Sequence, residues 1–238
     1  MYKQWVIPDI HGCAKTLQTL IEFQIKPSKH DWLYFLGDYI DRGPDSKGVI
    51  DFIIKLQDEE YNVRLLKGNH EELFIRAYEE ESNRKSILGI KTRNSAKTEW
   101  KKLGGKKCLE SFNINNLCDF PANYIDWMKN LEIFIELNDY ILVHAGLNFT
   151  IDDPFKDKNA MLWVREFKPD AKKINNKSVI HGHVPVNLEL IYHLKENRSY
   201  KYIALDNGVY LKDMDGFGNL VAIELGSMEL AIQYNVDW

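Results

Sequence analysis

The chain has 238 residues, 45% hydrophobic and 28% charged, a balance that one large domain with a sizeable core accommodates. Its formal net charge of -4 gives no global attraction for nucleic acid, and no run approaches the roughly 20 apolar residues of a membrane span. Three cysteines (Cys13, Cys108, Cys118) without CxxC spacing exclude a disulfide framework, and the apolar N-terminal run is too short for a signal peptide, so the expected location is cytoplasmic.

Residues 4–7 form a short apolar run stopped by Pro8-Asp9, which predicts a strand and then a loop. Leu17, Leu20 and Ile21 recur at helical spacing within residues 14–23. A second apolar run over 32–36 stops at Gly37-Asp38. Residues 47–57 then carry Val49, Ile50, Ile53, Ile54 and Leu56 on one helical face. A third strand over 63–66 stops at Gly68-Asn69. This β-α-β-α-β alternation favours a sheet with helices packed on its faces. The segment 77–118 breaks the alternation and is expected to be a mainly helical insertion within a single domain spanning 1–238. Strands follow at 140–143, ending at His144, at 178–180, ending at His181, and at 203–205, ending at Asp206. Residues 220–225 and 229–234 read as a closing antiparallel pair.

The stops are chemically alike. They are Asp9-Ile10-His11-Gly12, Gly37-Asp38-Tyr39-Ile40-Asp41-Arg42-Gly43, Gly68-Asn69-His70-Glu71, His144-Ala145-Gly146 and His181-Gly182-His183. In sheets flanked by helices, ligands sit at the carboxyl ends of strands, so these clusters are expected to meet on one rim. A lone buried His or a turn Asp is usually structural, but five such clusters at strand ends argue for a site. Carboxylate, amide and imidazole donors suit divalent ions such as Mn, Fe or Zn. Asp9 and His11, two apart, can converge on one ion from an extended loop. Two ions side by side serve in-line displacement at phosphorus, and Asp38 is the residue chosen to bridge them.

These motifs resemble the phosphoprotein phosphatase family of the calcineurin-like metallophosphoesterases, whose pattern runs GDxHG, GDxxDRG, GNHE, HAG and a late GH, over residues 6 to about 225. Met161-Leu162-Trp163-Val164-Arg165 is similar to the LLWxR element of the small bacterial and phage serine/threonine protein phosphatase branch. Trp100 followed by Gly104-Gly105 resembles an element of that branch's insertion, and Asp206-Asn207-Gly208 its DTG turn. The eukaryotic SAPNYC element is missing. Pro8 replaces the first glycine of the pattern, Leu131-Glu132 the usual Leu-Pro, and Val184-Pro185 follows His183 in place of Thr-Pro.

The resemblance implies an α/β fold with two central sheets packed in a sandwich with flanking helices. It implies two divalent metal ions, Mn first and Fe or Zn as alternatives, one on Asp9, His11 and Asp38, the other on Asp38, Asn69, His144 and His183. His181 is then structural or supports the ligands. His70 becomes the general acid, oriented by Asp41, and Arg42 and Arg165 hold the phosphoryl oxygens, while a metal-bridging hydroxide attacks in line. The implied activity is hydrolysis of phosphate monoesters, foremost phosphoserine or phosphothreonine on proteins. The alternative is a diadenosine tetraphosphate hydrolase, acting on a small nucleotide and sharing most of these motifs. No nucleic-acid or membrane partner is expected. Between Arg84 and Lys107 the insertion carries nine Lys or Arg against one acid, Glu99. That stretch is either a solvated helical face or a positive flap that draws in phosphorylated substrates.

Overall fold

β1 (Gln4–Ile7) lies at the centre of a five-stranded sheet in the computed structural model, which describes residues 2–83 and 94–238 and the backbone of two short strands between them. The chain passes through α1 (Ala14–Thr19), which widens into a π-helical turn over Leu20–Ile25, to β2 (Trp32–Phe35), α2 (Ser46–Asp58), β3 (Asn62–Leu65) and α3 (Asn69–Ser82). β1, β2 and β3 are parallel, with Gln4 beside Trp32 and Trp32 beside Asn62. The predicted alternation is therefore present, with the helix expected over 14–23 changing to π geometry half way.

β4 (Ser86–Ile87) and β5 (Ile90–Lys91) form a small antiparallel pair. α4 (Ser95–Trp100) and α5 (Lys106–Ser111) follow, joined by a π-helical stretch Lys101–Gly105, and α6 (Ala122–Lys129) comes next. α3 runs on to Ser82, past residue 77 where the insertion was expected to start. Of the basic stretch, Arg84, Lys85 and Arg93 lie outside the described residues, and only the backbone of Lys91 is described.

A second sheet contains β6 (Phe134–Glu136), β7 (Tyr140–Val143), β8 (Ser178–His181) and β9 (Tyr202–Ala204) in that order, with α7 (Lys158–Trp163) between β7 and β8 and α8 (Leu188–Glu196) between β8 and β9. β7, β8 and β9 are parallel and β6 runs antiparallel at the edge. β10 (Asn219–Glu224) and β11 (Leu230–Tyr234) are the expected antiparallel pair and complete the first sheet in the order β11-β10-β1-β2-β3.

Period-two alternation puts the two faces of each strand into different cores. From β1, Trp5 and Ile7 pack toward helices α1 to α6, while Val6 packs toward the second sheet. Val6, Tyr34, Leu36 and Leu66 meet Ile135, Leu142, Ile180 and Ile203 there, which makes the two sheets a sandwich. On the far side of the second sheet, Ile141, Val143 and Val179 pack with Met161 and Ile174. Each fully buried Leu, Ile or Val contributes about 1.5–3 kcal/mol. Leu142→Ala would cost about 2–5 kcal/mol by opening a cavity between the sheets. Among the described residues no helix is long and apolar enough to cross a membrane.

The parallel strands of both sheets deliver their carboxyl ends to one rim. That common rim is what the sandwich contributes to function.

Candidate active site

The loop after β1 carries Asp9 and His11, the loop after β2 carries Asp38 to Gly43, and α3 opens with Asn69, His70 and Glu71. From the second sheet, β7 delivers His144 and β8 is followed by His183. These loops are cross-braced by backbone: His11 N donates to Asp38 O at 2.8 Å, and Gly43 N donates to His11 O at 2.9 Å. His11, Asp38, Asp41, Arg42 and His183 all have positive φ between 46° and 72°. Left-handed backbone at such residues costs on the order of 1–3 kcal/mol each and persists only where surroundings impose it, a feature concentrated at functional sites.

Two overlapping groups of donors result. Ligand atoms of His11, Asp38 and His70 lie within 4.8 Å of one another, as do those of Asp38, His144 and His183. Asp38 belongs to both: its Oδ2 lies 3.5 Å from His11 Nε2 and its Oδ1 3.6 Å from His144 Nε2. Asp9 borders the first group, with Oδ2 3.9 Å from His11 Nε2, and its carboxylate accepts the His183 N–H at 3.1 Å. Gly182 permits that approach, because a Cβ there would stand 2.1 Å from Asp9 Oδ1. Asn69 Oδ1 lies 2.9 Å from both His144 Nε2 and His183 Nδ1.

The donor chemistry fits divalent cations. His11 donates through Nδ1 to Ile40 O at 3.1 Å, and burial pushes its pKa well down, so the ring is neutral and Nε2 is a bare acceptor. That acceptor faces the carboxylates of Asp38 and Asp9, which are acceptors too. His144 repeats the pattern. It donates through Nδ1 to Leu36 O at 2.9 Å, burial lowers its pKa, and Nε2 faces Asp38 and Asn69 oxygens. His183 Nε2 is buried with no hydrogen-bond partner among the described residues. A cation in each of the two groups would give these facing acceptors a common partner. Burial also pushes the Asp9 carboxyl well up, with the charges of Asp206 and Asp38 adding to the rise. For Asp38, burial acts upward, but positive charge on the imidazoles around it, where they are protonated as His70 is disposed to be, outweighs burial and holds the carboxyl below the usual range.

His70 differs from the other imidazoles in its partners. Its Nδ1 is 2.7 Å from Asp41 Oδ2 and its Nε2 is 3.4 Å from Arg42 Nη2. Burial alone would lower its pKa, but the negative Asp38 and the bond to Asp41 raise it above the ordinary value. Arg165 follows α7 and lies close enough for its charge to add to the depression of His183, which burial first and His144 next bring down to about 3. His181 packs its ring against Phe167 at 5.1 Å and Tyr202 at 5.9 Å, and burial brings it down to about 4.

Three neighbours carry no assignment from sequence. Glu71 accepts the backbone N–H groups of Asp38, Tyr39, Ile40 and Gly68, at 2.9 to 3.3 Å, and so ties the second and third clusters together. Burial, then Asp38's charge, pushes it up to about 8. Tyr210 sets its ring 4.2 Å from the Arg42 guanidinium and edge-on to His11 at 5.0 Å. Asp206, read only as part of a turn, is buried with no hydrogen-bond partner for Oδ2 among the described residues, and burial pushes it up to about 7. The one available signal for Tyr210 was its place just after the Asp206-Asn207-Gly208 stop.

A sandwich with this rim is the architecture of the calcineurin-like phosphoesterases. That family's profile matches residues 2–213, and the chain belongs to it. A symmetrical bis(5'-nucleosyl)-tetraphosphatase of Nitrosospira multiformis is 23% identical over 145 residues, 60% of this chain and 43% of that protein. The chain spans less than half the length of the curated relatives it matches. A protein serine/threonine phosphatase from Saccharomyces cerevisiae, with similarity to human phosphatase PP5, superposes with a TM-score of 0.63 at 16% identity, covering 99% of this chain and 80% of that one. A solved structure provisionally named a diadenosine tetraphosphatase gives 0.60 at 17% identity, covering 98% and 94%. At these identities the two structural likenesses are likenesses of fold.

Proposed function

We propose that this chain is a metal-dependent phosphoesterase whose substrate is a dinucleoside polyphosphate of the diadenosine tetraphosphate class. The observation that carries the hydrolytic reading is Asp38, whose two oxygens serve two adjoining donor groups. The substrate class is supported by the names of the curated relatives, which favour the nucleotide alternative over the phosphoprotein reading of the motifs. One ion would be held by His11 and Asp38 with Asp9 bordering them, leaving His70 of that donor group to Asp41, and the other by Asp38, Asn69, His144 and His183. When bound, such ions supply positive charge to the attacking and leaving oxygens of an in-line displacement.

The protein's own groups do the rest. Arg42 and Arg165 bind non-bridging phosphoryl oxygens through their guanidinium forks, with Arg42 steadied on Tyr210. His70, its Nδ1 committed to Asp41, presents Nε2 to the leaving oxygen and gives it a proton. Glu71 keeps the Asp38 loop and the start of α3 in register, so the bridge and the proton donor hold their relative places.

Phosphoserine or phosphothreonine on proteins is the second reading, and the His70–Asp41 pair favours it. A seryl alkoxide is far more basic than the phosphate of a departing nucleoside diphosphate and needs protonation more. The Mn-loaded protein should be assayed side by side on diadenosine tetraphosphate and a phosphoserine peptide. Release of nucleoside diphosphate at the higher kcat/KM supports the first reading, the reverse ranking the second. Turnover of neither contradicts both.

A further inference from the structure

The segment from Ser95 to Ser111 stands outside both sheets, yet one of its side chains enters the site. Trp100, at the end of α4, is fully buried and directs its indole N–H at Asp41, 2.9 Å from Oδ2 and 3.1 Å from Oδ1. The same Oδ2 is 2.7 Å from His70 Nδ1. An indole N–H only donates, so this group needs an acceptor, here the Asp41 carboxylate, and accepts nothing in return. Contact with both oxygens sets the rotation of the Asp41 carboxylate and aims Oδ2 at the imidazole.

The placement of Trp100 is built in. Its ring meets Phe74 of α3 edge-on at 5.3 Å. A Cβ on Gly105 would fall 2.3 Å from the indole, and one on Gly104, whose φ is +111°, would fall 2.7 Å from Arg42 N. Two residues without side chains thus let the hinge between α4 and α5 pass between the indole and the Arg42 loop. The spacing of Trp100, Gly104 and Gly105 that stands out in the sequence has this physical content.

We propose that Trp100 is a positioning residue for phosphoester hydrolysis, acting on His70 through Asp41. This rests on the reading of His70 as the proton donor. A buried tryptophan that merely finds a hydrogen-bond partner would lose stability on substitution, without regard to the leaving group. A positioning residue shows a different signature, because the proton matters most for a basic leaving oxygen.

Mn-loaded wild type, Trp100→Phe, Asp41→Asn and the double variant should be compared on p-nitrophenyl phosphate and phenyl phosphate, the latter having the more basic leaving group. Trp100→Phe keeps the ring packing and loses the N–H. It should cut kcat on phenyl phosphate roughly tenfold, cut p-nitrophenyl phosphate clearly less, and keep its metal content. The double variant should be no slower than Asp41→Asn. Equal loss on both substrates, or losses that multiply in the double variant, would overturn the proposal. A failure of the underlying reading is visible separately, as equal slowing of both substrates by His70→Asn. An independent check is the Trp100 indole proton in the NMR spectrum of protein loaded with diamagnetic Zn in place of Mn. Asp41→Asn should shift it and hasten its exchange with solvent, and an unchanged resonance would overturn the contact on which the proposal stands.

Discussion

His70 and Asp41 form a buried pair, Nδ1 to Oδ2 at 2.7 Å, set beside the donor groups that share Asp38. Asn69 and His70 are adjacent at the start of α3, yet their side chains diverge: Asn69 faces His144 and His183, while His70 faces Asp41. General acid catalysis typically contributes about 10²–10⁴-fold, roughly 3–5 kcal/mol. His70→Asn should therefore slow a phosphoserine peptide severely and p-nitrophenyl phosphate less, with metal retained. Asp41→Asn should give a weaker form of the same pattern. The readout is kcat on both substrates beside metal content, and loss of metal from His70→Asn would reassign that residue.

The charge of Arg165 reaches His183 and adds to the lowering of its pKa, and its guanidinium fork suits phosphoryl oxygens. Arg165→Ala should lower kcat/KM about 10–100-fold, the worth of a charge-assisted contact of 1.5–3 kcal/mol. Elemental analysis should find its metal unchanged. Wild-type kinetics in this variant would remove Arg165 from the site.

Acid stability should be governed in part by two carboxylates that fasten the amino-terminal edge of β1. Asp31 accepts Lys3 N at 2.6 Å and Ser28 N at 2.8 Å, and Glu224 accepts Gln4 N at 3.1 Å and Ser227 N at 2.6 Å. Burial acts upward on both, but these backbone donors outweigh it and hold both carboxyls below their usual values. A depressed folded-state pKa contributes stability that is present above the unfolded value, about 3.9 for Asp and 4.3 for Glu, and is lost as pH falls through the folded one. Asp31→Asn should lower Tm at pH 7 by several degrees, at about 2–4 °C per kcal/mol, with the gap to wild type closing below about pH 4. A gap of constant size across pH would show that Asp31's charge contributes nothing.

The strands that bear the site were legible because each is an apolar run cut off by Gly, Asp or Asn, as in Trp32 to Phe35 before Gly37-Asp38. β6 escaped because three residues, Phe134 to Glu136, on an antiparallel edge carry too little pattern to read. α8 carries Leu188, Ile191 and Leu194 at helical spacing, but it begins three residues after Pro185 and reads as loop until the Asn187 cap is seen. Glu71 sat inside a recognised motif, yet three of its four backbone partners come from residues 38 to 40, and only the fold brings them near. Trp100 was visible as part of a pattern, while its target, Asp41, lies 59 residues away. For the basic stretch, Lys97 pairs with Glu81 at 3.3 Å, and Lys106 and Lys107 pair with Glu110 at 3.4 and 3.2 Å, so part of that charge is neutralised locally.

Asp38 would be shared by two ions on the rim, and metal stoichiometry decides whether it is. The protein is loaded with Mn, passed over a desalting column and measured by elemental analysis beside Asp38→Asn and His183→Asn. About two ions per chain are expected in the wild type, about one in His183→Asn and fewer than one in Asp38→Asn. Asp38→Asn retaining two ions, or a wild type that retains none, would contradict the shared role of Asp38.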